Sequence, residues 1–576
     1  MSSCAMATIT EFGAQGLANF VWSYATVEWL DSPLLEVIAS ASRASIADFE
    51  QQNLANTSWA FARCEWNDGP LLDAIAEEAI IKMQDFQPQG LANMAWAFAK
   101  LVCGNGTLLT SISEEVLRKI ELFSPQNLVN MAWSFARMAE LNVPLRDAIS
   151  AAAIARITQF QGQNISNTAW SCAMLQFFNE PLITALSKQA LPTIGAFNPQ
   201  DLGNTAWSFA SLVVHDEPFM AAISGEAMRR LLDLQPQNIT NIAWACAKLE
   251  RADMPLFDAL AAAAIWSMAD FNPQNLANTA WAVATVCFHH APLFEAISSA
   301  SLPIISKFLP QELSNLAWAF AHFSYRDMPL LHAIASAALA KCDDLNSQDL
   351  SNIAWACATL GWRNEPLFDA ISAGAIANIH ESNSQDLANT AWSFSTLSFA
   401  DRPLFQAISA ASLRNLSAAS PQDLTNTAWA FAVRSKRDAP LFDAISAEAI
   451  RRLKDFIPQN HTNLAWSLAV ESFHDVPLLQ AISAAAMPMM EEFNCQNVSN
   501  TVWALATMGR ADVPFLDSMA AQALARLIEA DAQDLSNTAW SFSVLEVTSS
   551  PMIHAISGAA MRMIRELPPL PFGGSP

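Results

Sequence analysis

Amide and carboxylate side chains recur at one fixed place in this chain and are its strongest candidates for ligand recognition. The place lies six residues before each of fifteen tryptophans, which follow one another every 37 residues from Trp22 to Trp540. Counting from the tryptophan, we call it position −6. Amides and carboxylates distinguish base edges by their donor and acceptor patterns, and helical-repeat RNA readers use two or three such positions per base. The pattern therefore predicts base-reading residues for single-stranded RNA at Asn53, Asn127, Asn164, Asp201, Asn238, Asn275, Glu312, Asp349, Asp386, Asp423, Asn460, Asn497 and Asp534.

Helix capping is the alternative role for position −6. Asn, Asp and Gly are also the residues that helix N-termini prefer, and Gly16 and Gly90 occupy the two remaining copies. One side chain can cap a helix and still face a groove. The sequence leaves both roles open.

Three further positions accompany position −6. Gln stands at −7 and Asn at −3 in every copy, and such unvarying amides favour a hydrogen-bond ladder between repeats. Position +4 carries basic residues in four copies, which we predict to contact phosphates: Arg63, Lys100, Arg137 and Lys248. Isolated solvated charges would look the same. Positions −6, −3, +1 and +4 follow one helical stripe, the predicted recognition surface.

These side chains must be positioned by a repeated pair of helices. In residues 348–384 the apolar spacing predicts a first helix from about Asp349 to Leu360, and Pro366 opens a second. A pair this short cannot bury its apolar face alone, so neighbouring repeats must stack. We predict an all-α fold, an α-solenoid of fifteen 37-residue helix-turn-helix repeats forming a superhelix. The tryptophans, Trp281 among them, are predicted to be buried core residues between the layers.

Composition sets the broad class. We predict an N-terminal extension at 1–7, a continuous repeat array over 8–566 and a Pro/Gly-rich tail at 567–576. A net charge of −24 argues against indiscriminate phosphate binding but leaves a nucleic-acid groove possible. The first residues resemble neither a signal peptide nor a transit peptide, and no apolar run predicts a membrane span. Cys172, Cys246 and Cys357 are expected as small core residues in a reducing compartment.

Catalysis is not expected. The chain has no phosphate-binding glycine-rich loop, and its densest histidine pair, His289 and His290, does not suit one metal ion. We therefore predict no enzyme, no catalytic residues, no metal and no cofactor. A monomer that binds single-stranded RNA, with protein partners as a further option, is the expected state.

The repeat motif resembles a known family. The strings PQNLANTAWAVA (Pro273–Ala284) and PQDLTNTAWAFA (Pro421–Ala432) closely resemble the octotricopeptide repeat, and the 37-residue length resembles the related heptatricopeptide repeat. The similar FAST-kinase-like and RAP-domain proteins belong to the same group. The resemblance covers nearly the whole chain, although nothing after Trp540 is long enough for a RAP domain.

The resemblance implies a function and a location. Such proteins act in RNA processing, stability and translation in mitochondria and chloroplasts, so an organellar location is implied, with the cytoplasm as the option that the absent leader leaves. The predicted function is sequence-specific binding of single-stranded RNA by the repeat array. The alternative is a protein–protein interaction scaffold that uses an acidic solenoid surface and basic partners.

Overall fold

The computed structural model describes residues 9–29, 31–140, 142–434, 438–510, 512–546 and 554–561, and these divide between two compact units, 1–297 and 298–576. The described residues are helical, with no strand among them. Within each unit the first helices of successive repeats pack against one another, and so do the second helices. This confirms the predicted α-solenoid class. The predicted extension at 1–7 and tail at 567–576 lie outside the described residues.

The first helices keep the 37-residue period. Each is thirteen residues long and holds the repeat tryptophan at its ninth position. In the described chain they are Ala14–Thr26, Gln51–Arg63, Pro88–Lys100, Pro125–Arg137, Gly162–Met174, Pro199–Ser211, Pro236–Lys248, Pro273–Thr285, Pro310–His322, Ser347–Thr359, Ser384–Thr396, Pro421–Val433, Pro458–Val470, Cys495–Thr507 and Ala532–Val544.

The second helices have the same period and mostly end in a short 3-10 turn such as Ile46–Asp48. The helix of the last repeat is described over 554–561. The others are Ser32–Ala44, Gly69–Ile81, Gly106–Lys119, Val143–Ala155, Glu180–Thr193, Glu217–Arg229, Met254–Trp266, Ala291–Ser301, Met328–Ala340, Glu365–Ala377, Arg402–Asn415, Ala439–Arg452, Val476–Ala486 and Val513–Ala525.

Local sequence explains where the second helices begin. An Asp or Asn two residues before the proline caps the helix, because its side chain accepts a hydrogen bond from a backbone N–H of the first turn. Asp68, for example, accepts from the N–H of Leu71 at 2.9 Å. The proline itself lies in the first turn, where its missing N–H costs nothing.

The core lies between first and second helices and is built from Leu and Phe instead of Trp. Leu91 on a first helix and Ile75 on a second helix are fully buried. So is Phe86, which ends its repeat at position +27. The predicted buried cysteines Cys172 and Cys246 are confirmed, and burial raises the pKa of each thiol to about 12.

The prediction that the tryptophans are buried core residues is wrong. From Trp59 to Trp503 they are half-buried, and Trp22 and Trp540 are 44% and 48% exposed. Trp281 itself lies against the ring of Trp244, at a centroid distance of 6.3 Å. Phe side chains such as Phe86 and Phe98 are the large aromatic residues buried between the helices instead.

Basic residues at position +23 connect seven of the repeats, each to the one before it. Lys82 Nζ donates to the carbonyls of Ala47 and Phe49 at 2.8 and 2.7 Å. Lys119, Arg156, Arg230, Lys341, Arg452 and Arg526 make equivalent bonds to the main chain of the preceding repeat. Part of the basic charge is therefore used within the fold, which leaves the solvent-facing surface richer in uncompensated acid.

Candidate nucleic-acid interface

Position −6 caps the first helix in every copy that carries Asn, Asp or Glu. The side-chain oxygen accepts a hydrogen bond from the backbone N–H of the N-cap residue three positions earlier. All thirteen predicted base-reading residues make this bond, at 2.7–3.4 Å. The capping role that the sequence left open is therefore present throughout.

These side chains also point toward the neighbouring repeat. Asn164, Asp201, Asn238, Asn275, Asp349, Asp386, Asn460 and Asn497 are buried, and the other five are half-buried. Because a carboxylate needs partners when it leaves water, the buried acids accept a second bond from a serine of the preceding repeat. Desolvation nevertheless raises the pKa of Asp201, Asp349 and Asp386 above the usual range of a carboxyl.

The copy-to-copy variation at position −6 follows the preceding repeat. Wherever that repeat carries Ser at position −4, position −6 is Asp, and the hydroxyl donates to the carboxylate. The four pairs are Ser166–Asp201 (3.1 Å), Ser314–Asp349 (2.7 Å), Ser351–Asp386 (3.1 Å) and Ser499–Asp534 (2.7 Å). Variation that resembled a recognition code is thus accounted for, in these copies, by matching between repeats.

A different set of polar side chains faces solvent. We call it the amide stripe: Gln at −7, Asn at −3, Trp at 0 and the residue at +4 on each first helix. The gaps of four, three and four place these residues on one helical face. Every Gln at −7 is exposed, and every Asn from Asn56 to Asn537 is half-buried. Position +1 of the predicted stripe is buried from Ala60 to Ser541 and exposed only in the first repeat, at Ser23.

Hydrogen bonds organise the amides of the stripe. Gln237 Nε2 donates to Asn241 Oδ1 at 2.8 Å, and Gln237 Oε1 accepts from Asn275 Nδ2 of the next repeat at 3.1 Å. Asn164, Gln126 and Asn130 repeat the arrangement at 3.0 and 2.8 Å. In these two copies the oxygen of the Asn at −3 is occupied, so its two N–H groups remain available as donors.

The indole rings form a ladder beside the amides. In ten pairs of successive repeats the rings lie 6.1–6.5 Å apart between centroids and are inclined by 25–37°. The inclined rings pack against one another along the surface of the first helices. This ladder sets the spacing at which the amides repeat.

An open cleft lies where the amides of two adjacent repeats meet in the C-terminal unit. It has a volume of about 320 Å³, which is at the lower end of typical ligand sites. Its lining includes Gln422 and Asn426 from one repeat, Gln459 and Asn463 from the next, and the carboxylate of Asp455. The cleft therefore offers amide donors and acceptors from both repeats to one planar polar ligand.

The four predicted phosphate contacts fall into two kinds. Arg63 and Lys100 form ion pairs with Glu28 (2.6 Å) and Glu65 (2.9 Å), which stand at position +6 of the preceding repeat. Among the described residues, Arg137 and Lys248 have no acidic side chain within ion-pair distance, because position +6 before them is Val102 and Val213. All four basic residues are exposed.

Sequence reasoning chose position −6 over −7 because −6 varies. The sequence also contained a signal for position −7, since seven residues separate the invariant Gln from the invariant Trp, which puts them two turns apart on one face.

In the described part of the chain, no helix is long and apolar enough to span a membrane. No cluster of three or more His, Cys, Asp or Glu there could hold a metal ion.

Fold and surface together define an α-solenoid repeat protein with a solvent-facing stripe of amides, indoles and scattered cations. One family model matches residues 1–143, 139–254 and 263–487, which together make up more than half of the chain. The chain belongs to this family, described as RNA-editing substrate-binding complex 6 protein. The octotricopeptide and heptatricopeptide likeness remains a resemblance of the repeat motif.

No curated protein matches the chain. Three solved structures are similar at low identity. A homology model of the full-length AP-3 complex in an intermediate open conformation shares 8% identity at a TM-score of 0.34 (89% of this chain, 95% of that one). The pentatricopeptide repeat protein PPR10 from maize shares 9% at 0.34 (97% of each), and importin13 in its cytosolic state 10% at 0.28 (98% and 90%). Likeness at this level says nothing about function.

Proposed function

We propose that this protein binds single-stranded RNA along the amide stripe, with about one nucleotide per repeat. The observation that carries the proposal is the outward-facing Asn at −3 and Gln at −7, present in every copy. The family description supports it, since it names an RNA-editing complex that binds its substrate. The spacing of 6.1–6.5 Å between rungs is close to the span of one extended nucleotide.

Recognition would combine three kinds of contact. The Asn at −3 donates to acceptor atoms on a base edge, while the neighbouring Gln offers a donor or an acceptor according to how its amide is turned. The exposed edges of the indoles form an apolar floor. Arg137 and Lys248 contact phosphates, which place the strand without reading its sequence.

Position −6 then acts on specificity through the preceding Gln. Asn275 donates to Gln237 Oε1 and so fixes which way that amide points. A carboxylate at the same place has no hydrogen to donate, and Asp349 instead accepts from Ser314. All thirteen residues at −6 remain predicted determinants of base preference, and for Asn164 and Asn275 the contact with Gln supports a role as positioning residues instead of direct readers.

Removal of two amides from the cleft tests the proposal. An RNA selected from a random pool serves as the probe for the double variant Asn426→Ala/Asn463→Ala, whose affinity should fall at least tenfold, since one good base contact is worth about 1–3 kcal/mol. The matched control is Gln406→Ala/Gln480→Ala, which removes two exposed amides from second helices of the same unit. Equal losses in both variants, or a pool that yields no enriched RNA, would contradict the proposal.

The wider role follows from the same proposal. We propose that the protein acts by binding and not by catalysis, in the processing, stability or translation of organellar RNA. Bound RNA should remain intact on prolonged incubation, and the protein fused to a fluorescent reporter should localise to a mitochondrion or chloroplast in its native cell. Cleavage of the selected RNA by purified protein, or an exclusively cytosolic reporter, would overturn that part.

A further inference from the structure

The second helices carry an exposed aliphatic row that no part of the fold uses. In the C-terminal unit, position +21 holds Leu302, Leu339, Ile376, Leu413, Ile450 and Met487, each 36–41% exposed. Leu339, Ile376, Leu413 and Ile450 lie in the last turn of four successive second helices, and these helices pack side by side. We call these four residues the outer row. Isolated exposed leucines are ordinary, but a contiguous series marks an interaction surface.

Acidic residues border the outer row. Asp369 and Asp443 stand two helical turns before Ile376 and Ile450 on the same helices, so they lie on the same face. Asp344 and Glu381 follow in the turns beyond the helix ends, and all four carboxylates are exposed.

Basic residues near the outer row do not offset this acidity. Lys341 is bound to main-chain carbonyls of the preceding repeat, and Arg451 is paired with Glu448. Arg414 and Lys454 are the remaining exposed cations of the described chain beside the four row residues. The outer row is therefore an apolar strip within a predominantly acidic border.

We infer that the outer row docks a basic amphipathic helix of a partner protein. Packed helices lie about 8–10 Å apart, so the row offers one aliphatic side chain at about that interval. A helix rises about 10.5 Å in seven residues, so a partner with apolar residues two turns apart matches the row. Lys and Arg beside those residues complement the acidic border. A second copy of this chain is disfavoured as the occupant because it would bring one acidic surface against another.

A designed peptide tests the inference. The probe is a helical peptide of about 28 residues with Leu on one face and Lys on both flanks, and its binding to the full chain is followed by fluorescence anisotropy. The first comparison peptide replaces Lys by Glu, and the second keeps the composition but scatters Leu around the helix. We expect the basic amphipathic peptide to bind at least tenfold more tightly than either, with an affinity that falls as salt rises.

Variants of the protein locate the binding surface. Ile376→Ser/Leu413→Ser should weaken peptide binding at least tenfold, and Asp369→Asn/Asp443→Asn should weaken it several-fold and reduce its salt dependence. The second variant keeps the row intact, so it reports on docking even where the serine variant unfolds. Glu140→Gln/Glu250→Gln, which removes two exposed acids from interhelical turns of the other unit, is the matched control and should bind as the wild type does.

Three results would overturn the inference. The first is equal affinity of the protein for the basic and the acidic peptide. The second is unchanged affinity for the basic peptide in both row variants. The third is a loss of affinity in the control variant as large as that in the row variants. Sedimentation of the free protein gives a fourth: a dimer that the serine variant abolishes would make a second copy the occupant. The RNA selected above should bind the row variants normally, which separates this surface from the amide stripe.

Discussion

The two units share one repeat but differ in the charge that each places along its first helices. In the N-terminal unit, position +4 carries Arg63, Lys100, Arg137 and Lys248, and position −6 is mostly Asn. In the C-terminal unit, position +4 is His, Thr or Val, and position −6 is mostly Asp or Glu. The first unit therefore carries basic side chains along its first helices, whereas position +4 of the second has no Lys or Arg.

The difference shows why a net charge of −24 does not describe the amide stripe. The acids at −6 in the C-terminal unit turn inward, where Ser hydroxyls and backbone N–H groups satisfy them. Other acids border the outer row. An RNA strand on the first helices would consequently meet amides and a few cations, while the acidity lies in the repeat interfaces and on the second helices.

His461 is the C-terminal unit's largest departure from the shared core. Position −5 is Leu, Ile or Val in every other repeat, yet here a fully buried imidazole has no hydrogen-bond partner among the described residues. His461→Leu should raise the free energy of unfolding at pH 7 by about 1–3 kcal/mol, because it removes an unsatisfied buried polar group. Urea unfolding of the two proteins measures the difference, and Leu464→Ala, which opens a cavity beside it, should act in the opposite direction.

The same residue predicts a pH dependence. Burial lowers the pKa of His461 to about 4, whereas the unfolded residue titrates near 6.5. The unfolded chain therefore binds this proton first on acidification, and the stability present above pH 6.5 is lost as the pH falls toward 4. Between pH 7 and pH 5 the wild type should lose more stability than His461→Leu. Parallel pH profiles would show that the imidazole is solvated or partnered.

The basic residues at position +4 of the N-terminal unit should differ in how much they contribute to RNA binding, according to whether an acidic side chain pairs with them. Arg137→Ala/Lys248→Ala should weaken RNA binding roughly tenfold at low salt and reduce the slope of log affinity against log salt by about 1.4, at 0.7 per phosphate. Arg63→Ala/Lys100→Ala should cost less than about threefold, because Glu28 and Glu65 already neutralise those charges. Equal losses would mean that RNA displaces the glutamates.

Replacing a carboxylate at −6 of the C-terminal unit should have a smaller effect, on the free energy of unfolding. Burial raises the pKa of Asp349, so its charged form is disfavoured in the folded state and stability falls as the pH rises through that pKa. Asp349→Asn should therefore be slightly stabilising at pH 7, by less than about 1 kcal/mol, since the loss of charge at the helix N-terminus costs about 0.3–1 kcal/mol. Near pH 3 the two proteins should unfold alike. A destabilised variant at pH 7 would show that the Ser314 bond outweighs desolvation.

The regular period let the sequence predict the helices, the repeat and the buried cysteines. The spacing of Leu350, Ala354 and Ala358 implied one buried face, and the helix Ser347–Thr359 has it. Pro366 likewise placed the second helix within a residue of its start. Such patterns depend only on contacts within a repeat, which the sequence of one repeat contains.

The recognition surface was harder to predict because it depends on contacts between repeats. Asp349 and Ser314 are 35 residues apart, and only stacking brings them together. Variation at −6 then resembled a code for a ligand, although it matches a partner within the chain. For the tryptophans, hydrophobicity favoured burial, but the rings pack against those of neighbouring repeats at the surface, a contact that only stacking creates.

The turn after each first helix also differs between the two units. We expect substitutions there to change the free energy of unfolding by the smallest amount of those predicted. Position +6 has a left-handed backbone in every described copy. Two copies of the C-terminal unit have glycine there, Gly361 and Gly509, whereas every copy of the N-terminal unit has a side chain, including Val213 at φ 55°. A branched residue in that region lowers the free energy of unfolding by roughly 1–2 kcal/mol. Glycine avoids this strain but lowers the same free energy by about 0.5–1 kcal/mol, because its unfolded state has more conformational freedom. Val213, which is 57% exposed, has little packing to lose, so Val213→Gly should raise the free energy of unfolding by up to about 1 kcal/mol.

Gly361→Val is the reciprocal variant, because a Cβ there meets no atom within 4 Å and only the backbone is strained. Gly361→Val should lower the free energy of unfolding by a similar amount. Hydrogen exchange of the helices on either side of each turn measures the change in both variants. A neutral Gly361→Val would mean that the turn relaxes and that its glycine is not required.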